Sequence, residues 1–495
     1  MLRKTLSRLS ASKADSVRLK NLYLFPGQGI QKVGHMLPDA SREVQNYSQI
    51  IDKSNQILGI NIEKLMDSGP EADLNSTQLA QPAIFLSSHL NFLAWLERQK
   101  ENKVLDFSYD TSTKFNENES IGRLKIISNP TGHDFAGYSL GEFNALVAAG
   151  KMTFEDALFL VKIRAHLMQR SCNQKKSLLA TVVKSGKRQS GKIEAILRTV
   201  INSDIQNQFA DEHTQQKTAE LFKQVNYKNP FELERERQQG WSYDPNNPDK
   251  RLHKNELFDN TIIPEHENHG EILEKEILQV ASYMSRNIFT VGGDQKPMMD
   301  LYKNKRDYGI IAMKFLNVSG AFHTSLMHGA SVEFRKSLNL LCNDPNKRPR
   351  SHVDLALEQL INGSGFINIR GINPYQDLRK HDSENQIIVK KSPHRVWSNL
   401  SGEPYDLMTS IGKAGKNNYY TSSINSEADA IIRALPLQIE SPILWQKFMS
   451  EIMKAENDYD QVIEFGPSGG QLGKLFKNVN VKFFQEKYQF VFDKI

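Results

Sequence analysis

Asp134-Phe-Ala-Gly-Tyr-Ser-Leu-Gly-Glu-Phe-Asn-Ala-Leu-Val-Ala-Ala-Gly150 carries a Gly-x-Ser-x-Gly pattern at 137–141 and runs on as a helix. In such a pattern the serine sits on a tight strand-to-helix turn. Both glycines are required because a Cβ at either place would clash as the backbone doubles back. The turn lifts the hydroxyl clear of the sheet and sets it at a helix N-terminus, where developing negative charge is favoured. Short matches of this kind also arise by chance, and a glycine-flanked helix cap is the alternative reading. The surrounding chain has to separate the two.

At 495 residues the chain is long enough for two to four domains, or for one large domain carrying insertions. A hydrophobic content of 39% and a mean hydropathy of −0.52 are low for a compact enzyme and predict a normal core diluted by polar insertions. Cys172 and Cys342 are the two cysteines, far apart and without metal-ligand spacing, which argues for a reducing compartment with neither a disulfide framework nor a zinc site. The net charge of +6 is modest for this length; it favours an acidic partner without implying nucleic acid. No apolar run approaches 18 residues, so no membrane span is expected.

Outward from the serine turn, the chain reads as alternating strands and helices. Residues 1–20 hold six basic residues and one acid, Asp15, with leucines at near-helical spacing. That is the composition of an organellar targeting segment, mitochondrial rather than plastid because it is short and arginine-bearing, though a plain basic N-terminus has similar content. A short apolar strand then runs into Pro26-Gly27-Gln28-Gly29, a turn whose glycines expose backbone N–H groups. The pattern predicts a helix over 40–58, loop over 65–74 and a helix over 83–97 with Pro82 in its first turn. Residues 99–123 read as a surface excursion.

After the serine turn, a helix over 153–170 carries an apolar stripe of Leu160, Val161, Leu167 and Met168, and Arg164 falls inside it. A guanidinium on a buried face must be paired. The partner is either a core carboxylate or a substrate carboxylate or phosphate, which arginine grips bidentately. From 177 to 318 the order is strand, helix, strand, strand, helix, strand: a split βαβ unit interrupted by a polar insertion at 203–270. His323 follows in a loop between strand and helix, where functional side chains cluster, although a solvated or capping role suits a histidine equally well there. A second polar insertion spans 343–390. Strands are expected near 387–389, 395–400 and 461–465, and helices near 428–437 and after Trp445. Residues 466–474 superficially suggest a phosphate loop but fail on spacing, with Leu475 in place of the required Ser or Thr.

Taken together, these residues resemble the malonyl-CoA:acyl-carrier-protein transacylases, relatives of the acyltransferase domains of fatty-acid and polyketide synthases. Phe25-Pro-Gly-Gln-Gly29 is similar to the family's oxyanion turn, Thr77-Gln-Leu-Ala-Gln-Pro82 to its Gln-Pro helix start, and 137–142 to its nucleophile turn. Arg164 with Met168-Gln169 is similar to its arginine helix, and Gly320-Ala-Phe-His323 to its histidine loop. Gln438…Ser441-Pro442…Trp445 and Glu464-Phe-Gly-Pro467 are similar to its C-terminal signatures.

The resemblance implies an α/β-hydrolase-like large subdomain, 21–176 and 319–495, with a ferredoxin-like small subdomain, 177–318, inserted in it. It implies Ser139 as nucleophile, His323 as general base, a backbone carbonyl of Gln438 in place of the usual acid, and an oxyanion hole from the N–H groups of Gln28 and Leu140. Arg164 would pair with the malonyl carboxylate and Gln81 would help bind substrate. Phe322 would disfavour a branched acyl group. Malonyl-CoA and acyl carrier protein would be substrate and partner in organellar fatty-acid synthesis, with no bound cofactor. Two departures stand out: Tyr138 replaces the family's usual His, and Met284 replaces an Asn that helps bind substrate. These, with the insertions, raise an alternative: a transacylase-derived structural or carrier-binding subunit of a larger mitochondrial assembly. A serine hydrolase is a third reading, against which the stripe arginine argues.

Overall fold

The computed structural model describes residues 20–101, 133–185, 193–197, 199–200, 242–244, 247–252, 276–342, 392–408, 426–454, 457–467 and 470–491. The basic N-terminal segment up to residue 19, most of both polar insertions and the strand expected at 387–389 lie outside the described residues.

Strand β1, Asn21–Phe25, is apolar on both faces because both are covered. Leu22 and Leu24 point into one cluster with Trp445, Phe448 and Phe476. Tyr23 and Phe25 point into the main core with Phe92, Phe135 and Phe465. β1 lies at the centre of a parallel sheet with β2, Asp134–Gly137, β9, Arg395–Trp397, β10, Gln461–Glu464, and β11, Tyr488–Phe490, in the order β11-β10-β1-β2-β9. Phe25 pairs with Gly137, so the turns after β1 and β2 emerge side by side at the carboxyl edge, where open α/β sheets bind ligands.

The main core is built on that sheet by α2, Thr77–Glu101, α4, Phe154–Gln174, α6, His328–Cys342, and α7, Glu427–Glu440. Between β1 and α2 lies α1, Tyr47–Leu58. α3, Gly141–Ala148, follows β2. α5, Gln295–Lys303, belongs to the second sheet. That sheet is antiparallel, β6-β7-β3-β8, from β3, Ser177–Lys184, β6, Leu278–Tyr283, β7, Ile288–Asp294, and β8, Ile310–Phe315. With the helical residues at 193–197 and 199–200 and α5 this is the ferredoxin-like βαββαβ order over its own apolar cluster. Between them in sequence, β4, Ser242–Asp244, and β5, Asn247–Leu252, form an antiparallel pair. The two sheets meet where Ile443 exchanges backbone hydrogen bonds with Ala281 and Tyr283 of β6, 3.0 and 2.9 Å.

Three expectations fail locally. Residues 65–74 are helical, Ile62–Ser68 and Glu71–Leu74, because Leu65, Met66 and Leu74 are buried; the Gly69-Pro70 signal marks only the break between them. The helix expected over 40–58 is interrupted at Asn46, whose φ of 64° is left-handed. The helix expected from 83 starts at Thr77, so Pro82 sits inside it; the carbonyl it leaves unbonded belongs to the exposed Gln78.

At the other end of the large sheet, His133 Nδ1 accepts the Asn21 N–H (3.2 Å) and His394 Nδ1 accepts the His133 N–H (2.9 Å), so both imidazoles are built in as neutral. Burial pushes His133 and His394 down to about 4 and His89 to about 3, and it holds His166 and His323 low as well. The unfolded chain takes up these protons near pH 6.5 and the folded chain does not, so stability falls as pH drops below 7. Glu142 and Glu464, raised by burial, act in the opposite sense but are fewer. At roughly 1 kcal/mol per imidazole at pH 5.5, the melting temperature should fall by several degrees between pH 7.5 and 5.5. A flat or rising melting curve would contradict this.

Candidate active site

Ser139 sits in the turn between β2 and α3 with φ +53°, a left-handed conformation that side chains adopt only where the surroundings compel it. A Cβ on Gly137 would lie 1.9 Å from the backbone of Gly141, and one on Gly141 would lie 2.2 Å from the Phe25 carbonyl oxygen. The remaining constraint is Asn399, just past the end of β9: its Oδ1 accepts the Ser139 N–H (2.7 Å) and its amide donates to the Gly137 carbonyl (2.6 Å).

Ser139 Oγ lies 2.8 Å from His323 Nε2. His323, φ +61°, is anchored by its N–H on the Ile439 carbonyl, and its Nδ1 donates to the Gln438 carbonyl at 2.6 Å. That carbonyl is available because Gln438 lies in the last turn of α7, where helix carbonyls have no intrahelical donor. The bond fixes Nε2 as the acceptor facing Ser139. Burial and the charge of Arg164 push His323 down to about 3, which keeps the imidazole neutral at physiological pH. Gln28 and Leu140 lie in the adjacent turns that follow β1 and β2, each with a backbone N–H. Among the described residues neither donates to a protein acceptor, and Leu140 heads the N-terminus of α3.

Arg164 is fully buried. Its Nη1 donates to Gln81 Oε1 (2.6 Å), and its Nη2 to Gln438 Oε1 (3.0 Å) and Ser139 Oγ (3.1 Å). All three acceptors are neutral oxygens, Nε has no partner, and among the described residues no carboxylate is within ion-pair distance. Burial lowers its pKa to about 10, partly offset by the field of Glu142. Of the two partners open to a stripe arginine, the core carboxylate is absent in contact. Gln81 also reaches Gln28 Oε1 (3.4 Å), and Gln28 in turn reaches Thr77 Oγ1 (3.3 Å).

The structure therefore brings Ser139, His323, Gln438, Arg164, Gln81, Gln28 and Leu140 to one place. Phe322 is buried in the main core beside the histidine. No family model matches the chain. The Drosophila melanogaster protein named probable malonyl-CoA-acyl carrier protein transacylase, mitochondrial, is 24% identical over 473 residues, 95% of this chain and 82% of its own length. An acyl-carrier-protein S-malonyltransferase structure from Burkholderia pseudomallei aligns with TM-score 0.53 at 20% identity over 96% of each chain. A malonyl-transacylase in complex with a type II polyketide acyl-carrier protein aligns with TM-score 0.53 at 18% identity, over 95% of this chain and 94% of that one. Over nearly its whole length the chain is thus similar to proteins named malonyl-CoA-acyl carrier protein transacylase.

Two site residues escaped the sequence reading. Asn399 was hidden because 395–400 read as one strand, whereas β9 stops at Trp397 and leaves the asparagine at the strand's carboxyl end. Glu142 read as a first-turn helix acid; it is fully buried, and its oxygens accept from the Asn399 N–H, Tyr405 hydroxyl and Gln438 amide. The unusual Tyr138 has its hydroxyl pushed up by burial, partly offset by the side chains of Ser282 and Thr290 in the small sheet, and its ring packs edge-on against Trp445 at 5.4 Å. Thr290 also donates to Met284 Sδ (3.2 Å), so the two atypical residues share one neighbour.

Proposed function

We propose that this chain transfers the malonyl group from malonyl-CoA to the phosphopantetheine thiol of acyl carrier protein through a malonyl ester on Ser139. The observation that carries the reading is Arg164: a buried cation beside the nucleophile, whose hydrogen bonds among the described residues all go to neutral oxygens, suited to a carboxylate on the acyl group. Ser139 Oγ attacks the thioester carbonyl while His323 Nε2 takes its proton, and the Gln438 carbonyl steadies the imidazolium that forms. The N–H groups of Gln28 and Leu140 receive the oxyanion. The C–S bond breaks, His323 returns the proton to the departing CoA thiolate, and malonyl-Ser139 remains. The carrier thiol then gives its proton to His323 and attacks the ester, and Ser139 leaves with the proton returned. Arg164, placed by Gln81 and Gln438, holds the carboxylate in both half-reactions, and Phe322 limits bulk next to the acyl chain.

No cofactor takes part in these steps; malonyl-CoA and phosphopantetheine are substrates. The mitochondrial names of full-length relatives support a mitochondrial setting, and the complex of a related transacylase with a carrier protein supports acyl carrier protein as acceptor. In this proposal 177–318 forms the small subdomain.

Incubation with labelled malonyl-CoA should place label on Ser139 and, after addition of holo-carrier protein, move it to the carrier. A wild-type chain that takes no label refutes the enzymatic reading. Arg164→Ala should lower malonyl labelling by ~10²–10³-fold, the cost of stranding a buried charge; undiminished labelling would refute the clamp.

A further inference from the structure

Gln438 does more than orient the histidine. Its side-chain Oε1 accepts from Arg164 Nη2 (3.0 Å), while Nε2 donates to the Ser139 carbonyl (2.9 Å) and to Glu142 Oε2. An amide can occupy such a site in either of two flipped states, and what selects between them is the partner that can only accept or only donate. Arg164 only donates, while the Ser139 carbonyl and ionised Glu142 only accept. Glu142 is itself held on its other oxygen by the Asn399 N–H (3.0 Å) and the Tyr405 hydroxyl (2.7 Å). Glu142 and Gln438 are both buried, so water cannot substitute for a lost bond. A carboxylate that touches no part of the reacting centre thus acts with the Ser139 carbonyl to fix which end of Gln438 faces the arginine.

We propose that Glu142 is a positioning residue: through the side-chain amide of Gln438 it sets the orientation of Arg164 and so the preference for acyl groups that carry a carboxylate. This rests on the reading that Arg164 binds that carboxylate.

The isosteric change Glu142→Gln makes the relay visible. A carboxamide oxygen at 142 can keep the Asn399 and Tyr405 donors, but its NH₂ then faces the NH₂ of Gln438. Gln438 must either flip, which sets its nitrogen against Arg164 and its oxygen against the Ser139 carbonyl, or move away from position 142; in both cases the guanidinium loses its seat. Gln438→Leu removes the amide from the other side while keeping the main-chain carbonyl on His323.

The test compares malonyl-CoA with acetyl-CoA, which lacks the carboxylate, as acyl donors to Ser139 in the full chain. In Glu142→Gln, kcat/KM for malonyl-CoA should fall by about 10–100-fold, mostly through KM, while the slower acetyl reaction changes less than about threefold. Gln438→Leu should show the same loss of selectivity, and the double variant should be no worse than Gln438→Leu alone, since both act through one chain. Parallel losses for both donors, unchanged selectivity in a folded variant, or additive losses would each overturn the proposal. Should Glu142→Gln not fold, the donor comparison in Gln438→Leu decides. Failure of the functional reading is separable: the wild type would then form no malonyl-Ser139 at all.

Discussion

Replacing His323 by alanine is expected to slow acylation of Ser139 by malonyl-CoA by about 10³–10⁴-fold, with the protein folded and still able to bind donor. The Ser139 Oγ–His323 Nε2 distance of 2.8 Å is already that of proton transfer, and the serine has no other acceptor of comparable basicity. Its remaining neighbour, Arg164, only donates, at 3.1 Å. Removing the imidazole leaves the hydroxyl to ionise into a site where the guanidinium and the N–H groups of Gln28 and Leu140 can steady an oxyanion but cannot remove a proton. Binding should survive, because Arg164, Gln81 and Gln438 do not depend on the ring. Rapid-quench measurement of acyl-enzyme formation checks this. An acylation rate within tenfold of wild type would show that another group is the base.

Replacing Gly137 by alanine is expected to produce the largest loss of stability of any single methyl addition in the described chain, more than ~4 kcal/mol, enough to keep the protein from accumulating in soluble form. The added Cβ would stand 1.9 Å from both the carbon and the oxygen of the Gly141 carbonyl group and 2.3 Å from the Glu142 nitrogen. All three are backbone atoms at the first turn of α3, so no side-chain rotation relieves the clash. The turn cannot shift as a unit either, since Gly141 is pressed against Phe25 and Pro26, and Asn399 ties Gly137 to Ser139. Gly329→Ala is the control: apart from its own helix backbone and chain neighbours nothing lies within 4 Å of the new Cβ, and it falls in α6, so alanine should be neutral or stabilising by about 0.5–1 kcal/mol. Thermal melts of the two variants discriminate. A Gly137→Ala protein that melts within a few degrees of wild type would mean the tight turn is not formed as described.

The contrast between these two glycines illustrates how the sequence could be read. Gly137 was legible because its spacing to Ser139 and Gly141 belongs to one turn. Arg164 was legible because an arginine inside a buried helical stripe violates the pattern around it. The helices on either side of Gly69-Pro70 were not legible, since burial of Leu65, Met66 and Leu74 outweighs the local turn chemistry, and neither the break at Asn46 nor the early start of α2 left a local sign. His323 stood in a loop with no local sign of what its Nδ1 would meet.

What the sequence determined by itself was local: the glycine-bracketed serine turn, the doubly buried β1, the strand–helix order of the small sheet, and a cation placed in an apolar face. Each depends on residues within a few positions of one another, where sterics and periodicity act. Only the tertiary structure decided who completes the site. Asn399 meets Ser139 across 260 residues, and Gln438 meets the same residue across 299. Glu142, Gln438 and Arg164 form their chain from three different elements. Such polar partners leave no periodic trace, because a hydrogen bond needs only one donor and one acceptor at the right point in space, and the packing of the parallel sheet and its helices supplies that point.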